Sequence, residues 1–464
     1  MVQRLLGSLL VASALVGCGG ETGSEPPLED TGATEVDPGE TGADATPDAA
    51  KDAPGDAPAD TPTDAPPPPP SGPTRYPFGP LQSPMSAAVI ARAKKAIEGA
   101  PTHRPDVFAK VGDSITVNTN FLNCFAGTDV KLDKYAALEP TRAFFAKTKV
   151  GSVTSFNRAT LAAGVGWSAA KTISGTPSFV EQEVAAIQPT FAVLMLGTND
   201  TYATGVDPFE RNLRKNIDLL LAMKVLPIVS TIPQRADKPD AAALVPEMNA
   251  VIRAVAQARQ IPLVDFFEAL EPLAPGFGLA GDGIHPQVYV SAGAHGCWLT
   301  KEGLTEGFNW RNLVTLDALD RVKRFVLETA APEPAPPALA GDGTWATPYV
   351  VDSIPFVDDR DTSKVKTRVE KVYACSSADE SGPEVVYTLT LAKPQKLRVH
   401  VFDDDGVDVD VHWLTGATGA TCTQRDDKLL DVDAPAGTFR IVVDTFAAAG
   451  VEKSGAYRIT ITPR

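Results

Sequence analysis

Three polar residues of this chain have the types and spacing that nucleophilic catalysis requires. Ser114 follows an apolar, β-prone run at residues 107–111, and Asp282 precedes His285 by three positions much further along the chain. A serine hydroxyl is a weak nucleophile unless a base takes its proton, and an imidazole oriented by a carboxylate can serve as that base. These residues predict a hydrolytic Ser-His-Asp triad, provided that the fold brings the two segments together.

The other histidines of the same region are weaker candidates for the base. His103 and His295 share this part of the chain with His285. No carboxylate stands just before His295, so a loop or packing role is the better interpretation for it. For Asp282 and the glycine after it, the alternative is a plain turn. We prefer the catalytic interpretation, since imidazole titrates near working pH and all of its partners are present.

The elements that would position these residues alternate between residues 76 and 330. Short apolar runs typical of buried parallel strands lie at 107–111, 191–196, 226–230 and 261–265. Helical patterns lie between or after them, at 209–223, 244–259 and 312–327. This alternation predicts a three-layer α/β/α sandwich with a parallel sheet. Sites in such sheets lie beyond the carboxyl ends of the strands, so Ser114, Asn199 and Asp200 are expected at one edge.

The remaining regions have different compositions. Residues 331–341 form a Pro-rich linker, and residues 342–464 contain short β-prone runs without a long helical stretch, which predicts an all-β sandwich domain. Residues 18–75 are rich in Asp, Ala, Thr and Pro, with almost no large apolar side chains. They cannot bury enough apolar area to offset the entropy of ordering, so we expect a disordered acidic tether.

The first 17 residues have the pattern of an export signal. Arg4 precedes an apolar run at residues 5–12 that is too short to span a bilayer as a helix. Residues 15–18 resemble the lipobox of bacterial lipoproteins, which implies cleavage before Cys18 and lipidation of its thiol. Gly19 in turn resembles an outer-membrane address. We therefore expect an exported protein, lipid-anchored at the outer membrane or cell surface; the alternative is an ordinary secretory signal in which Cys18 is incidental.

Composition limits the partners and the metals. The net charge of −16 argues against a nucleic-acid partner, because phosphate binding needs clustered basic residues. Neither a CxxC pair nor an HExxH helix occurs in the sequence, so a structural zinc or zincin site is not expected. A cluster of carboxylates in the last domain could bind calcium, although a solvated acidic turn is the preferred interpretation: Asp403, Asp405, Asp408 and Asp410.

The cysteines besides Cys18 divide by region into two pairs. In an oxidising compartment we expect bridges between Cys124 and Cys297 and between Cys375 and Cys422. The alternative is four separate buried thiols.

Four segments, in order, resemble the motifs of the SGNH (GDSL-type) hydrolases, whose fold is flavodoxin-like. The segments are residues 112–116, 164–168, 197–200 and 282–285, and the resemblance covers the whole first domain. It implies a serine esterase that requires no cofactor, with an oxyanion hole formed by the backbone N–H groups of Ser114 and Gly166 and the side-chain amide of Asn199. Gly164 competes with Gly166 for the second position.

The same resemblance leaves supporting roles for the neighbouring side chains. Asp113 and Asp200 are expected to hold loops by hydrogen bonding, and Trp167 to line the substrate pocket or to pack. Residues 397–399, 408–411 and 434–439 resemble bacterial pre-peptidase C-terminal domains, which are β-sandwiches.

The four segments do not separate lipases, carboxylesterases, carbohydrate deacetylases and thioesterases. Export makes thioesters less suitable, so we expect a small-molecule or glycan ester, such as an acetyl ester on a surface glycan or an environmental ester. The alternative from another class is a surface binding or adhesion lipoprotein that uses the hydrolase fold as a scaffold and the β-sandwich as its binding module. The sequence predicts no particular oligomeric state.

Overall fold

The computed structural model describes residues 73–448 and 450–464 of the chain. The predicted signal segment, the lipidation site at Cys18 and nearly all of the predicted tether lie outside the described residues. The last positions of the predicted tether are packed, since Thr74 is buried and the Arg75 guanidinium lies 2.8 Å from the Asp352 carboxylate. Among the described residues, no helix has the length and apolar character needed to cross a membrane.

The first part of the described chain is built from strands and helices in alternation. The strands are β1 (Arg104–Gly112), β2 (Lys149–Val150), β3 (Val153–Thr154), β4 (Pro189–Met195), β5 (Leu226–Ser230) and β6 (Leu263–Val264). The α-helices are α1 (Ala87–Ile97), α2 (Ser114–Val117), α3 (Glu139–Lys147), α4 (Ala169–Thr172), α5 (Phe179–Ile187), α6 (Asp200–Ala203), α7 (Val206–Ala222), α8 (Pro239–Arg259), α9 (Phe266–Ala269) and α10 (Gly307–Val322). A π-helical turn, Lys323–Leu327, extends α10, and short 3₁₀ turns lie at Asn123–Ala126, Asp133–Leu138, Glu271–Leu273 and Gly303–Thr305.

A parallel sheet forms the centre of this domain, as predicted, and its four strands lie in the order β1-β4-β5-β6. Every residue of β4 is buried, which explains its continuous apolar run. Helices pack on the sheet and enclose one large hydrophobic core. The predicted α/β/α class is therefore confirmed, and the carboxyl ends of β1 and β4 deliver Ser114 and Asn199 to the same edge.

The rest of the chain forms the predicted all-β domain. Its strands are β7 (Tyr349–Val350), β8 (Phe356–Asp361), β9 (Val385–Leu391), β10 (Gln395–Asp403), β11 (Val409–Leu414), β12 (Cys422–Asp426), β13 (Leu429–Ala434), β14 (Gly437–Thr445), β15 (Ala447–Ala448), β16 (Val451–Glu452) and β17 (Ala456–Pro463), with 3₁₀ turns at Thr362–Lys364 and Gly419–Thr421. Sheets in the orders β13-β10-β17-β8 and β12-β11-β14-β9-β7 share a core of inward-facing aliphatic and aromatic side chains.

The β-sandwich packs directly on the α/β domain, chiefly through α8 against β8 and β17. Charged groups are buried where the two meet. His400 is 2% exposed, and its Nδ1 lies 2.7 Å from Glu247 Oε1. Arg398 donates to the same Glu247 carboxylate at 3.0 Å. The sandwich is thus joined to the α/β domain by buried polar contacts as well as by the linker.

Both expected disulfides are formed. Cys124 is bonded to Cys297 and Cys375 to Cys422. The first ties the segment after Ser114 to the segment after His285, because each cysteine lies about ten residues beyond its site residue. The second lies within the β-sandwich.

The carboxylates considered for calcium do not converge on one another among the described residues. Within the described residues, the only group of three or more ligand atoms that converge to within 4.8 Å belongs to Cys375, His412 and Cys422, and those two cysteines are disulfide-bonded. Each carboxylate of the predicted cluster lies instead beside its own basic side chain: Lys428 for Asp403, Arg214 for Asp405, Lys453 for Asp408 and Arg425 for Asp410. The structure therefore gives no support for the possible calcium site.

Candidate active site

The turn that carries Ser114 begins where β1 ends. Asp113 caps the four-residue helix α2, because its Oδ1 accepts a hydrogen bond of 2.9 Å from the Ile115 backbone N–H. Gly112 is required just before it, since an added Cβ would lie 2.2 Å from Thr116 Oγ1 and 2.8 Å from the Met195 carbonyl oxygen. This close approach places Ser114 at the first position of α2, at the edge of the sheet.

A separate tight turn presents His285. Asp282 Oδ1 accepts hydrogen bonds of 3.0 Å from the backbone N–H groups of Ile284 and His285. Gly283 has φ +68°, and an added Cβ would lie 2.9 Å from the Asp237 nitrogen. Glycine therefore meets both the left-handed conformation and the close approach of residues 236–237.

The fold brings the two turns together. His285 Nε2 lies 2.9 Å from Ser114 Oγ, and His285 Nδ1 lies 2.6 Å from Asp282 Oδ2. With the proton on Nδ1, the imidazole donates to the carboxylate and accepts from the serine hydroxyl. The imidazole side chain is 31% exposed, so the group remains accessible to a substrate from solvent.

The Asp282 carboxylate is held in its ionised form. Partial burial raises its pKa, but the hydrogen bonds from the His285 and Ile284 backbone N–H groups and from the imidazole outweigh that effect and lower the pKa to about 2. Hydrogen bonds to the charged form of a carboxyl group favour that form. At neutral pH, Asp282 is a fixed negative charge beside the histidine ring.

The segment that contains Gly166 and the turn that contains Asn199 contact each other at the same edge of the sheet. Asn199 Nδ2 donates to the Trp167 carbonyl oxygen at 2.9 Å, which joins the two segments. The chain just before Gly166 runs beside β1, because the Gly112 N–H donates to the Ala162 carbonyl at 3.1 Å. The structure therefore gathers Ser114, Gly166, Asn199 and His285 at one end of the sheet.

The two candidate glycines differ in their surroundings. An added Cβ at Gly164 would lie 2.3 Å from the Trp167 indole, so that position is covered by packing. Gly166 is exposed, has φ +75°, and an added Cβ there would meet no atom within 4 Å. Open space beside an exposed backbone is what a substrate-facing N–H requires.

The sequence profile of the GDSL-like lipase/acylhydrolase family matches residues 111–289, a span that includes Ser114, Asn199 and His285. Residues 111–289 form a GDSL-like lipase/acylhydrolase domain. The domain is an ester-hydrolysing enzyme, as its GDSL-like motifs predict. No curated protein matches the chain in sequence.

The solved structures that match this chain have low sequence identity to it. A GDSL-like lipase from Bacteroides thetaiotaomicron is 16% identical, with 50% of this chain and 99% of that chain covered and a TM-score of 0.27. A catalytic mutant of Axe2, an acetylxylan esterase from Geobacillus stearothermophilus, is 14% identical, with 47% and 95% covered and a TM-score of 0.32. A G-D-S-L family lipolytic protein from Veillonella parvula is 18% identical, with 46% and 98% covered and a TM-score of 0.31.

The two further aspartates of the GDSL-like motifs hold loops. Asp200 is fully buried and accepts from the Ala169 backbone N–H at 3.0 Å and from Thr204 Oγ1 at 3.1 Å. Burial raises its pKa to about 6, although these hydrogen bonds partly offset the effect. Asp113 is also fully buried and caps α2. Within the part of the chain that the structure describes, neither carboxylate is hydrogen-bonded to the Ser114 hydroxyl or the His285 imidazole.

The other histidines of the domain point elsewhere. His295 does have a carboxylate partner, contributed by a distant segment, because its Nδ1 lies 2.7 Å from Asp129 Oδ2. Its Nε2 faces the Ser291 carbonyl at 2.6 Å and not a hydroxyl nucleophile. His103 contacts the Lys224 carbonyl near the start of β1, at the opposite end of that strand. His285 is thus the histidine that contacts Ser114.

Two buried arginines next to the site turns were not predicted from the sequence. Arg235 donates to the Thr198 carbonyl at 2.6 Å and to Thr201 Oγ1 at 3.0 Å, on either side of the Asn199 turn. Arg311 donates to the Ile115 carbonyl, next to Ser114, at 2.6 Å. Neither lies in a recognised motif, and no local pattern distinguishes them from surface arginines. Their role becomes recognisable only when the fold shows a basic side chain beside a strand-end turn.

Proposed function

We propose that this protein is a serine esterase in which Ser114, His285 and Asp282 act as a catalytic triad. The observation that carries the proposal is the continuous contact from the Ser114 hydroxyl through the His285 ring to the ionised Asp282. His285 Nε2 takes the hydroxyl proton as Ser114 attacks the ester carbonyl, and Asp282 stabilises the imidazolium that forms. The same proton then goes to the departing alcohol.

Deacylation repeats these steps with water. Water enters after the alcohol leaves, and His285 takes a proton from it as it attacks the acyl group on Ser114. Both tetrahedral intermediates carry a negative oxygen. We assign its stabilisation to the backbone N–H groups of Ser114 and Gly166 and to the Asn199 amide, whose second N–H is not used by the bond to Trp167.

Replacing Asn199 by alanine tests the oxyanion assignment. Asn199→Ala is expected to lower kcat for a short aryl ester by about 10²–10³-fold, because one donor to the developing oxyanion is lost. Steady-state turnover and thermal unfolding of the variant are compared with the wild type. The half-buried Asn212 of α7 provides a control, and Asn212→Ala should retain wild-type turnover. Unchanged turnover in folded Asn199→Ala would remove Asn199 from the oxyanion hole.

For the substrate we propose a small-molecule or glycan ester outside the cytoplasm, such as an O-acetyl group. Export, which the N-terminal sequence favours, separates the enzyme from cytoplasmic thioesters. The alternative of a non-catalytic binding protein is not favoured, since the residues of the four motifs come together in the fold. Turnover across a panel from acetyl aryl esters to long-chain aryl esters and acetylated glycans identifies the acyl and alcohol groups; a preference for long acyl chains contradicts this substrate class.

We also propose that the mature protein begins at a lipidated Cys18 and is held at the outer membrane or cell surface. The apolar run at residues 5–12 followed by Leu-Val-Gly-Cys at 15–18 supports this. Palmitate labelling in a bacterial host should mark the full-length protein and be absent from Cys18→Ala. Equal labelling of both proteins contradicts the anchor while leaving the esterase proposal intact.

A further inference from the structure

Three polar residues are buried in the first turns of α10. Asn309 and Asn312 are fully buried, and Arg311 is 3% exposed. Polar side chains at such depth are costly unless hydrogen-bonded, and a buried arginine is rare without compensation. Their partners are concentrated in two segments of the chain, residues 115–122 after Ser114 and residues 289–298 after His285.

Arg311 supports the turn that carries the nucleophile. Its Nη1 donates to the Ile115 carbonyl at 2.6 Å and its Nη2 to Thr116 Oγ1 at 2.9 Å. Because α2 has only four residues, its carbonyl groups lack intrahelical partners, and Arg311 satisfies one of them. The guanidinium carbon also lies 3.6 Å from the centre of the Phe121 ring.

Asn312 joins the nucleophile segment to the histidine segment with one amide group. Its Oδ1 accepts from the Leu122 N–H at 2.8 Å. Its Nδ2 donates to the Asn120 carbonyl at 2.8 Å and to the Gly296 carbonyl at 3.0 Å. The two carbonyls belong to different segments, so a shift of either segment breaks one of these bonds.

Asn309 holds the histidine segment on its own. Its Oδ1 accepts from the Tyr289 N–H at 3.1 Å, four residues after His285. Its Nδ2 donates to the carbonyls of His295 and Trp298 at 2.8 and 2.9 Å. The loop that follows His285 is thereby folded back on the start of α10.

We propose that Asn309, Arg311 and Asn312 are positioning residues that hold Ser114 and His285 at hydrogen-bond distance. The proposal rests on the function proposed above. Ser114 and His285 are 171 positions apart in the sequence, so only the fold holds them together. A misplacement of about 1 Å between reacting groups can lower the rate about 10²-fold. The Cys124–Cys297 bridge joins the chain just beyond the first segment to the second segment. None of the three polar residues contacts the Ser114 hydroxyl or the His285 ring, so they are not catalytic residues.

Conservative variants of this group test the proposal. Arg311→Lys keeps the charge but loses the two-pronged geometry, and Asn312→Asp keeps the acceptor for Leu122 but loses both donated bonds. Each is expected to lower kcat for an aryl ester about 10- to 100-fold with little change in KM. Guanidinium at a low, non-denaturing concentration should restore part of the activity of Arg311→Ala.

Arg321 provides the matched control, since it lies on the same helix and is also paired. It donates to both Glu333 carboxylate oxygens, at 2.7 and 2.6 Å, and to the Ser83 carbonyl at 2.9 Å. Arg321→Met is expected to lower the unfolding temperature while leaving kcat within about twofold of the wild type. Thermal unfolding of every variant separates loss of folded protein from loss of positioning.

The outcomes separate the two proposals. A folded Arg311→Lys or Asn312→Asp with the kcat of Arg321→Met overturns the positioning role. Failure of guanidinium to restore any activity to a folded Arg311→Ala overturns the positioning role of Arg311 as well. A wild-type protein without turnover on any ester overturns the esterase proposal instead.

Discussion

Ser114→Ala is expected to lower ester turnover by about 10⁶-fold while leaving the fold intact. The substitution removes the nucleophilic oxygen, and the alanine methyl group fits the space of the partly buried hydroxymethyl group. The residual rate reflects what the oxyanion donors achieve with water alone. Steady-state turnover of an aryl acetate, with thermal unfolding of the same samples, measures both effects.

Another serine of the same domain is a suitable control for this variant. Ser174 donates to the Lys171 carbonyl at 2.7 Å and makes no described contact with the site. Ser174→Ala should therefore turn over ester at the wild-type rate. Turnover by Ser114→Ala within about tenfold of the wild type is inconsistent with a covalent mechanism at Ser114.

His285→Ala is expected to reduce turnover almost as strongly as Ser114→Ala, because nucleophile and base act as one unit. The structure contains a second histidine–carboxylate pair, His295 with Asp129, which provides an internal comparison. His295→Ala should lower turnover less than about tenfold, since its ring faces the Ser291 carbonyl and not a nucleophile. Equal losses from the two substitutions would contradict the assignment of His285 as the base.

The strands and the site turns could be predicted because their signals are local. The run at 226–230 is β5, and the runs before Ser114 and Asn199 are β1 and β4. A buried parallel strand is apolar on both faces, so it can be recognised from its sequence without knowledge of the fold. The glycines of the site turns are likewise set by the local backbone conformation, because Gly166 and Gly283 have positive φ angles.

Other elements could not be predicted because tertiary contacts override the local pattern. Four of the six residues of strand β8, Phe356–Asp361, are charged, yet Asp358 is buried there beside Arg360. The pattern predicted the last long helix at 312–327, but α10 begins at Gly307 without a side-chain cap. That difference places Arg311 inside the helix, where its contact with the Ile115 carbonyl depends on a segment 196 residues away.

The packing of the two domains against each other could not be predicted from the sequence either. The sequence pattern places His400 in a strand of the sandwich and Glu247 at a polar position of a helix. Only the fold shows that both are buried against each other. Burial alone lowers the pKa of His400, but hydrogen bonds to Asp207 and Glu247 outweigh it and raise the pKa. The sandwich is therefore a packed part of the enzyme, with a buried histidine among its contacts.

The central claim is that Ser114 is an activated nucleophile, and a fluorophosphonate probe measures this directly. Such a probe forms a covalent bond only with a serine whose proton a neighbouring base removes. We predict that the folded wild-type protein gains one probe mass, that the modified peptide contains Ser114, and that Ser114→Ala gains none. A folded wild type that remains unmodified, or a modification that persists in Ser114→Ala, would contradict the account.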